Sequence, residues 1–251
     1  MKIRAFCLLV LGVCLTGLVS GALAQTPASA DGHWEGVIQM STPETGKSQD
    51  LGITVDIAKN AEGGWIGSMA VLKSSSIDVP LTSISIEGTL VQFTANLPGR
   101  AFFRGVLSKD SSSLSGTASN AAGQAPFQLT RKGEANVKTP PPSSALSKEF
   151  EGIWEGHIEA GGKVRRIALK LWAASDGTAM AVLISVDKGN LEIPITTVTI
   201  TGKRLQLDAR SVSGTYQGTL GNAGAITGVW NEGNDSLPLS FQRVERDEKT
   251  H

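Results

Sequence analysis

The sequence predicts an all-β protein: two tandem, up-and-down, antiparallel eight-stranded β-barrels after a signal peptide. Three observations predict it. Six short blocks recur in the same order in the two halves of the chain. Apolar and polar residues alternate with period two inside each half, and turn residues punctuate both halves at intervals of roughly 8 to 12 positions. Composition agrees with this class. The chain has 251 residues, 23 basic and 23 acidic side chains and 40% hydrophobic residues. That balance argues against a nucleic-acid binder and against an acidic disordered tail. A polytopic membrane protein is disfavoured because only one apolar stretch is long, and it starts at Ala5.

The first element, residues 1–24, is a signal peptide. Lys2 and Arg4 supply a positive start, Ala5 to Val19 an apolar run, and Ala22-Leu23-Ala24 a small-residue cleavage site. A single membrane anchor is the alternative, disfavoured because Gly17, Ser20 and Gly21 break the run and no basic cluster follows. Cleavage after Ala24 places the protein in the periplasm or outside the cell, with no stable membrane insertion. It also removes Cys7 and Cys14, both cysteines of the chain, and so excludes disulfides.

The repeat defines the next elements. Gly32-His33-Trp34-Glu35-Gly36 matches Gly152-Ile153-Trp154-Glu155-Gly156, and Val79-Pro80-Leu81 matches Ile193-Pro194-Ile195. Ile86-Glu87-Gly88 matches Ile200-Thr201-Gly202, and Phe103-Arg104-Gly105 matches Tyr216-Gln217-Gly218. Leu114-Ser115-Gly116 matches Ile226-Thr227-Gly228, and Pro126-Phe127-Gln128-Leu129 matches Pro238-Leu239-Ser240-Phe241. The repeats are assigned to 32–131 and 152–243, joined by a linker over 132–150. Pro140-Pro141-Pro142 at its centre predicts an extended, semi-rigid spacer with no donors for a sheet.

Within the copies, Ile53, Val55 and Ile57, then Val91, Phe93 and Ala95, alternate with polar residues. So do Ile167, Leu169 and Leu171, and Leu205, Leu207 and Ala209. These are strands with one buried face, and closing them into barrels removes the exposed edges. The same parity turns Tyr216, Trp230 and Phe103 inward, which makes them the candidate ligand contacts. Gly105 and Gly116, repeated as Gly218 and Gly228, leave room inside for a ring or a ligand. Packing room for Tyr216 and Trp230 is the preferred explanation, since eight strands enclose a space that side chains can just fill. Ala118 stands where the second copy has Trp230, so the first barrel should be the roomier.

Gly32-x-Trp34 and Gly152-x-Trp154 open the first strands, and Arg131 and Arg243 end the last ones. That arrangement resembles the lipocalin-like (calycin) barrels. The resemblance implies that each tryptophan closes a barrel base under its arginine, a cation–π pair with a structural role. The fuller ordered pattern is similar to a small secreted domain found before serine hydrolases and α/β-hydrolases of the bacterial envelope. Here no catalytic domain follows, and the first copy departs from the pattern at Ala118.

Catalytic and metal motifs are largely missing. No G-x-S-x-G is present. Ser185-Val186-Asp187-Lys188 is an S-x-x-K at a strand end rather than a helix start, and is read as chance. Gly46-Lys47-Ser48 lacks the earlier glycine of a P-loop. His33, His157 and His251 have no metal-ligand spacing, and Asp176, Asp187, Glu192, Glu232 and Asp235 are read as solvated turn carboxylates. The expectation is a non-catalytic exported envelope protein without cofactor or metal. It would bind a small apolar or amphipathic ligand or an envelope protein partner. The alternative is a structural, interaction or accessory module for a separately encoded secreted serine hydrolase. A 16-stranded outer-membrane barrel is disfavoured by short strands and scarce aromatics.

Overall fold

Alternating residues form strand through most of the computed structural model, which describes residues 29–41, 48–74 and 76–244. The signal segment with Ala24, Gly46 and Lys47 of the P-loop-like triplet, and His251 lie outside the described residues. The first unit is a closed antiparallel barrel of β1 (Gly32–Ser41), β2 (Ser48–Lys59), β3 (Trp65–Val71), β4 (Val79–Glu87), β5 (Leu90–Ala95), β6 (Ala101–Leu107), β7 (Ser113–Asn120) and β8 (Gly123–Gly133). Each strand pairs with the next. The barrel closes where β1 meets β8, with Trp34 opposite Arg131 and Ile38 opposite Phe127.

The second unit repeats this course in nine strands rather than the expected eight. They are β9 (Gly152–Ala160), β10 (Lys163–Ala173), β11 (Ala179–Ser185), β12 (Leu191–Pro194), β13 (Thr197–Thr201), β14 (Arg204–Ala209), β15 (Gly214–Leu220), β16 (Ala225–Glu232) and β17 (Asp235–Arg243). β17 pairs back onto β9, with Arg243 opposite Trp154. The sheet ends are β12 and β13, which together take the place of β4. In the first unit β4 runs unbroken between its neighbours, with a bulge between Thr82 and Ser85. In the second the strand divides at Ile195-Thr196. The Ile195 amide bonds Ala181 on one side (3.4 Å) and the Thr196 amide bonds Asp208 on the other (2.6 Å). Pro194, which has no amide hydrogen to donate, ends the first half.

The proline segment occupies the resulting seam. The Ser144 amide donates to Val198 and its carbonyl accepts from Ala179, both at 2.8 Å. The Ser143 and Ser144 hydroxyls accept from the amides of Val198 (3.0 Å) and Ile200 (3.1 Å). Earlier, the Asn136 amide donates to Asp56 and the Lys138 amide to Ser68. The stretch expected to be a spacer without sheet partners is thus hydrogen-bonded to both units. The prolines donate nothing, as their chemistry requires, but the Ser144 amide does, and both serine hydroxyls accept.

Each unit has its own core. Trp34, Ile53, Val55, Ile57, Phe93, Phe103 and Leu129 fill the first; Trp154, Leu169, Leu205, Tyr216, Ile226 and Phe241 fill the second. The last glycine of the G-x-W-E-G block has a steric reason: a Cβ on Gly36 would lie 1.9 Å from the Gln128 carbonyl, and one on Gly156 2.5 Å from that of Ser240. These glycines let the first strand close tightly on the last.

Candidate functional site

Each barrel has one plugged end and one open end. At the plugged ends, Trp34 and Trp154 are fully buried, and their indole N–H groups donate to the carbonyls of Ala30 (3.0 Å) and Phe150 (2.9 Å). The Arg131 guanidinium lies 4.6 Å from the Trp34 ring centroid, and that of Arg243 lies 4.2 Å from Trp154, within cation–π range. Arg131 also donates to the carbonyls of Ser29 and Asp31, and Arg243 to those of Glu149 and Glu151. A Cβ on Gly32 would lie 2.8 Å from the Arg131 guanidinium, and one on Gly152 3.0 Å from that of Arg243. Both glycines also have positive φ, 148° and 130°. The G-x-W glycine is therefore the seat of the arginine.

Strand parity places Tyr216, Trp230 and Phe103 inside; Trp230 lines the cavity of the second barrel, whereas Tyr216 and Phe103 are packed in the cores. Phe103 is stacked on Phe93 (4.7 Å between centroids) and edge-on to Phe127 (5.4 Å). Tyr216 packs edge-on to Phe241, and its hydroxyl donates to the Leu239 carbonyl at 3.1 Å. Burial pushes the pKa of that phenol far above its ordinary value. The glycine pair serves this ring, since a Cβ on Gly218 or Gly228 would fall 2.6 or 2.7 Å from the Tyr216 oxygen. In the first barrel a Cβ on Gly105 would meet Phe127 at 2.8 Å. Tyr216 and Phe103 are fully buried core residues.

Trp230 is seated differently. A Cβ on Gly214, near the barrel mouth, would lie 2.1 Å from its ring, and its N–H donates to Glu232 at 3.1 Å. The ring forms part of a cavity of about 280 Å³ opposite the Trp154 end. Ile158, Ile167, Leu183, Ile193, Leu237 and Leu239 supply apolar walls, and Arg165 and Lys188 are its two basic lining residues. Neither cation has an ion-pair partner among the described residues, whereas the neighbouring Arg166 is paired with Asp187 at 3.0 Å. In the first barrel the corresponding mouth holds a cavity of about 340 Å³ lined by Ile38, Leu51, Leu97, Ala118 and Ala125 among others. The smaller side chain at Ala118 goes with the larger space.

The two mouths adjoin. Pro98, in the β5–β6 turn of the first unit, lines the second unit's cavity, while its neighbour Leu97 lines the first. The Gly99 amide donates to the Glu192 carbonyl (3.1 Å) and the Ile77 amide to that of Arg210 (3.1 Å). All these turns are at the mouth ends.

Ser185 and Lys188 of the S-x-x-K match both line the second cavity, at the end of β11 and in the short 3₁₀ turn Val186–Lys188. Among the described residues no hydrogen bond joins them. No group of three or more His, Cys, Asp or Glu side chains among the described residues is placed to hold a metal. His33 bonds Asp56 at 2.9 Å, and His157 lies exposed on β9. Sequence reasoning missed Arg165, Leu97 and Pro98, and met Lys188 only as part of a motif match read as chance. One signal was present: Gly214 with Trp230 in the second copy is replaced by Ala101 with Ala118 in the first, a paired change in size.

No protein-family model matches the chain, and none of the curated proteins is significantly similar to it. Among solved structures it is similar to a candidate outer membrane protein of Bacteroides fragilis. The identity is 14% and the TM-score 0.28, over 86% of this chain and 97% of the other. It is also similar to a DUF3598-family protein of unknown function from Nostoc punctiforme, at 14% identity and a TM-score of 0.26, over 86% of this chain and 96% of the other. At these TM-scores neither similarity assigns a family or a function to the chain.

Proposed function

We propose that the protein is an exported, non-catalytic binding module that takes a small apolar or amphipathic ligand into the mouth of its second barrel. One observation carries the reading: an apolar cavity of about 280 Å³ formed in part by Trp230, at the end opposite the Trp154–Arg243 closure. Ligand sites begin at roughly 300 Å³ and are mostly apolar with a few polar groups, which is the make-up of this mouth. The plugged base supports a relation to the lipocalin-like barrels, in which stability sits at one end and binding at the other. The N-terminal signal features support export to the periplasm or beyond.

The test is titration of the full chain with N-phenyl-1-naphthylamine, a small apolar fluorophore. Saturable binding should weaken at least tenfold in Leu183→Trp, which fills the cavity, while the melting profile keeps one cooperative transition. Binding that is absent, or indifferent to this substitution, would remove the reading.

A further inference from the structure

Leu97 and Pro98 are consecutive, yet each faces a different cavity, so one short turn is the wall between the two. The two spaces are of similar size, about 340 and 280 Å³, and both are mainly apolar. Arg165 and Lys188 outnumber the one lining carboxylate, Glu232, which accepts from the Trp230 N–H, and leave the second mouth net positive. A linear ligand confined to one barrel leaves the other space unexplained.

We propose that the facing mouths form one bipartite site for an anionic two-chain lipid. One chain enters each barrel, the linkage lies across the Leu97–Pro98 ridge, and the anionic head meets Arg165 and Lys188. The proposal rests on the reading of the second mouth as a ligand site and adds the first barrel, the ridge and the sign of the head group. At roughly 30 Å³ per heavy atom, the share of liquid volume held by a water-sized group, an eight-carbon chain needs about 240 Å³. It fits either cavity. A sixteen-carbon chain, at about 480 Å³ on the same basis, fits neither. Tethering the second chain to the first makes its entry intramolecular, which raises affinity by roughly 10²- to 10⁴-fold without new contacts.

The full chain is titrated calorimetrically with dioctanoyl phosphatidylglycerol, its single-chain lyso analogue, and the dibutanoyl and dipalmitoyl forms. We expect one dioctanoyl lipid per protein, bound at least 100-fold more tightly than the lyso form, with affinity peaking at eight carbons. Ala101→Gly with Ala118→Trp installs the Gly214–Trp230 pair in the first barrel; it should reduce the two-chain advantage to less than tenfold. Arg165→Gln with Lys188→Gln should weaken dioctanoyl phosphatidylglycerol about tenfold, the scale of a hydrogen bond to a charged group, and leave dioctanoylglycerol, which has no phosphate, unchanged. Affinity that rises steadily with chain length, two independent lyso sites without a two-chain advantage, or equal loss for the phospholipid and dioctanoylglycerol would each overturn the proposal. The chain-length series needs no variant, so a misfolded first barrel cannot mask the result. Lyso binding at the second mouth without a two-chain gain defeats the bipartite site alone; no binding of any form defeats the ligand reading as well.

Discussion

Trp154 is buried against backbone that its own arginine holds in place, so its loss opens a cavity that nothing nearby can fill. Trp154→Ala should lower unfolding free energy by about 3–5 kcal/mol, the range for a fully buried aromatic, as read by chemical denaturation. An effect below about 1 kcal/mol would mean the site collapses freely, contrary to its rigid surroundings. A second residue-scale effect concerns pH. Partial burial of His33 opposes its charge, but hydrogen bonds and negative charge from Asp56 and Glu35 outweigh that and raise its pKa. A raised folded-state pKa gives stability that is complete below the unfolded value near 6.5 and is lost as pH rises through the folded value. His33→Gln should therefore flatten the decline in denaturation midpoint between about pH 6 and 8. An unchanged slope would assign that decline to other groups.

At the scale of elements, the divided fourth strand of the second unit and the segment that fills it behave as one device. Ser143→Ala with Ser144→Ala removes the acceptors of the Val198 and Ile200 amides. Each unpaired, partly buried amide should cost about 1–3 kcal/mol, with the loss of hydrogen-exchange protection confined to β13 and the start of β11. Uniform loss across both units would place the device elsewhere. Strand identity was legible in the sequence because inward residues such as Leu205 and Leu207 recur with period two. The plugged ends were legible through the resemblance to lipocalin-like barrels that the recurring glycine, tryptophan and arginine carry. The seam was not, because a strand's division at Ile195-Thr196 depends on which neighbour each amide finds, and Val79-Pro80-Leu81 carries almost the same residues without dividing. The interior roles were half legible. Parity turns Tyr216 and Trp230 to the same side, but depth along the barrel decides which of them packs and which borders open space, and depth follows from register.

At the scale of the whole molecule, two turns of the first unit rest on the second through backbone donors. The Ile77 and Gly99 amides should exchange slowly for mobile-looking turns, and exchange should speed up when the contact opens. Measured by hydrogen exchange with residue resolution, protection no greater than that of the exposed Glu62-Gly63 turn would mean the mouths separate in solution. Arg165 and Pro98 escaped the sequence reading, and Lys188 entered it only in an S-x-x-K match read as chance. Pro98 acquires meaning only from the meeting of two units, and Arg165 and Lys188 only from the turns that set them at the second mouth, neither of which periodicity encodes.

The way each barrel closes also decides how it bears a load. The first strand begins beside the end of the last, so a pull between Gly32 and the segment after Gly133 acts across the ladder and opens it one pair at a time, as a zip opens. Arg131 lies at the pull tab: its side chain ties the end of β8 to the carbonyls of Ser29 and Asp31, and Arg243 does the same for Glu149 and Glu151. Under tension these two arginines act as buckles across the end of the ladder at which such opening starts.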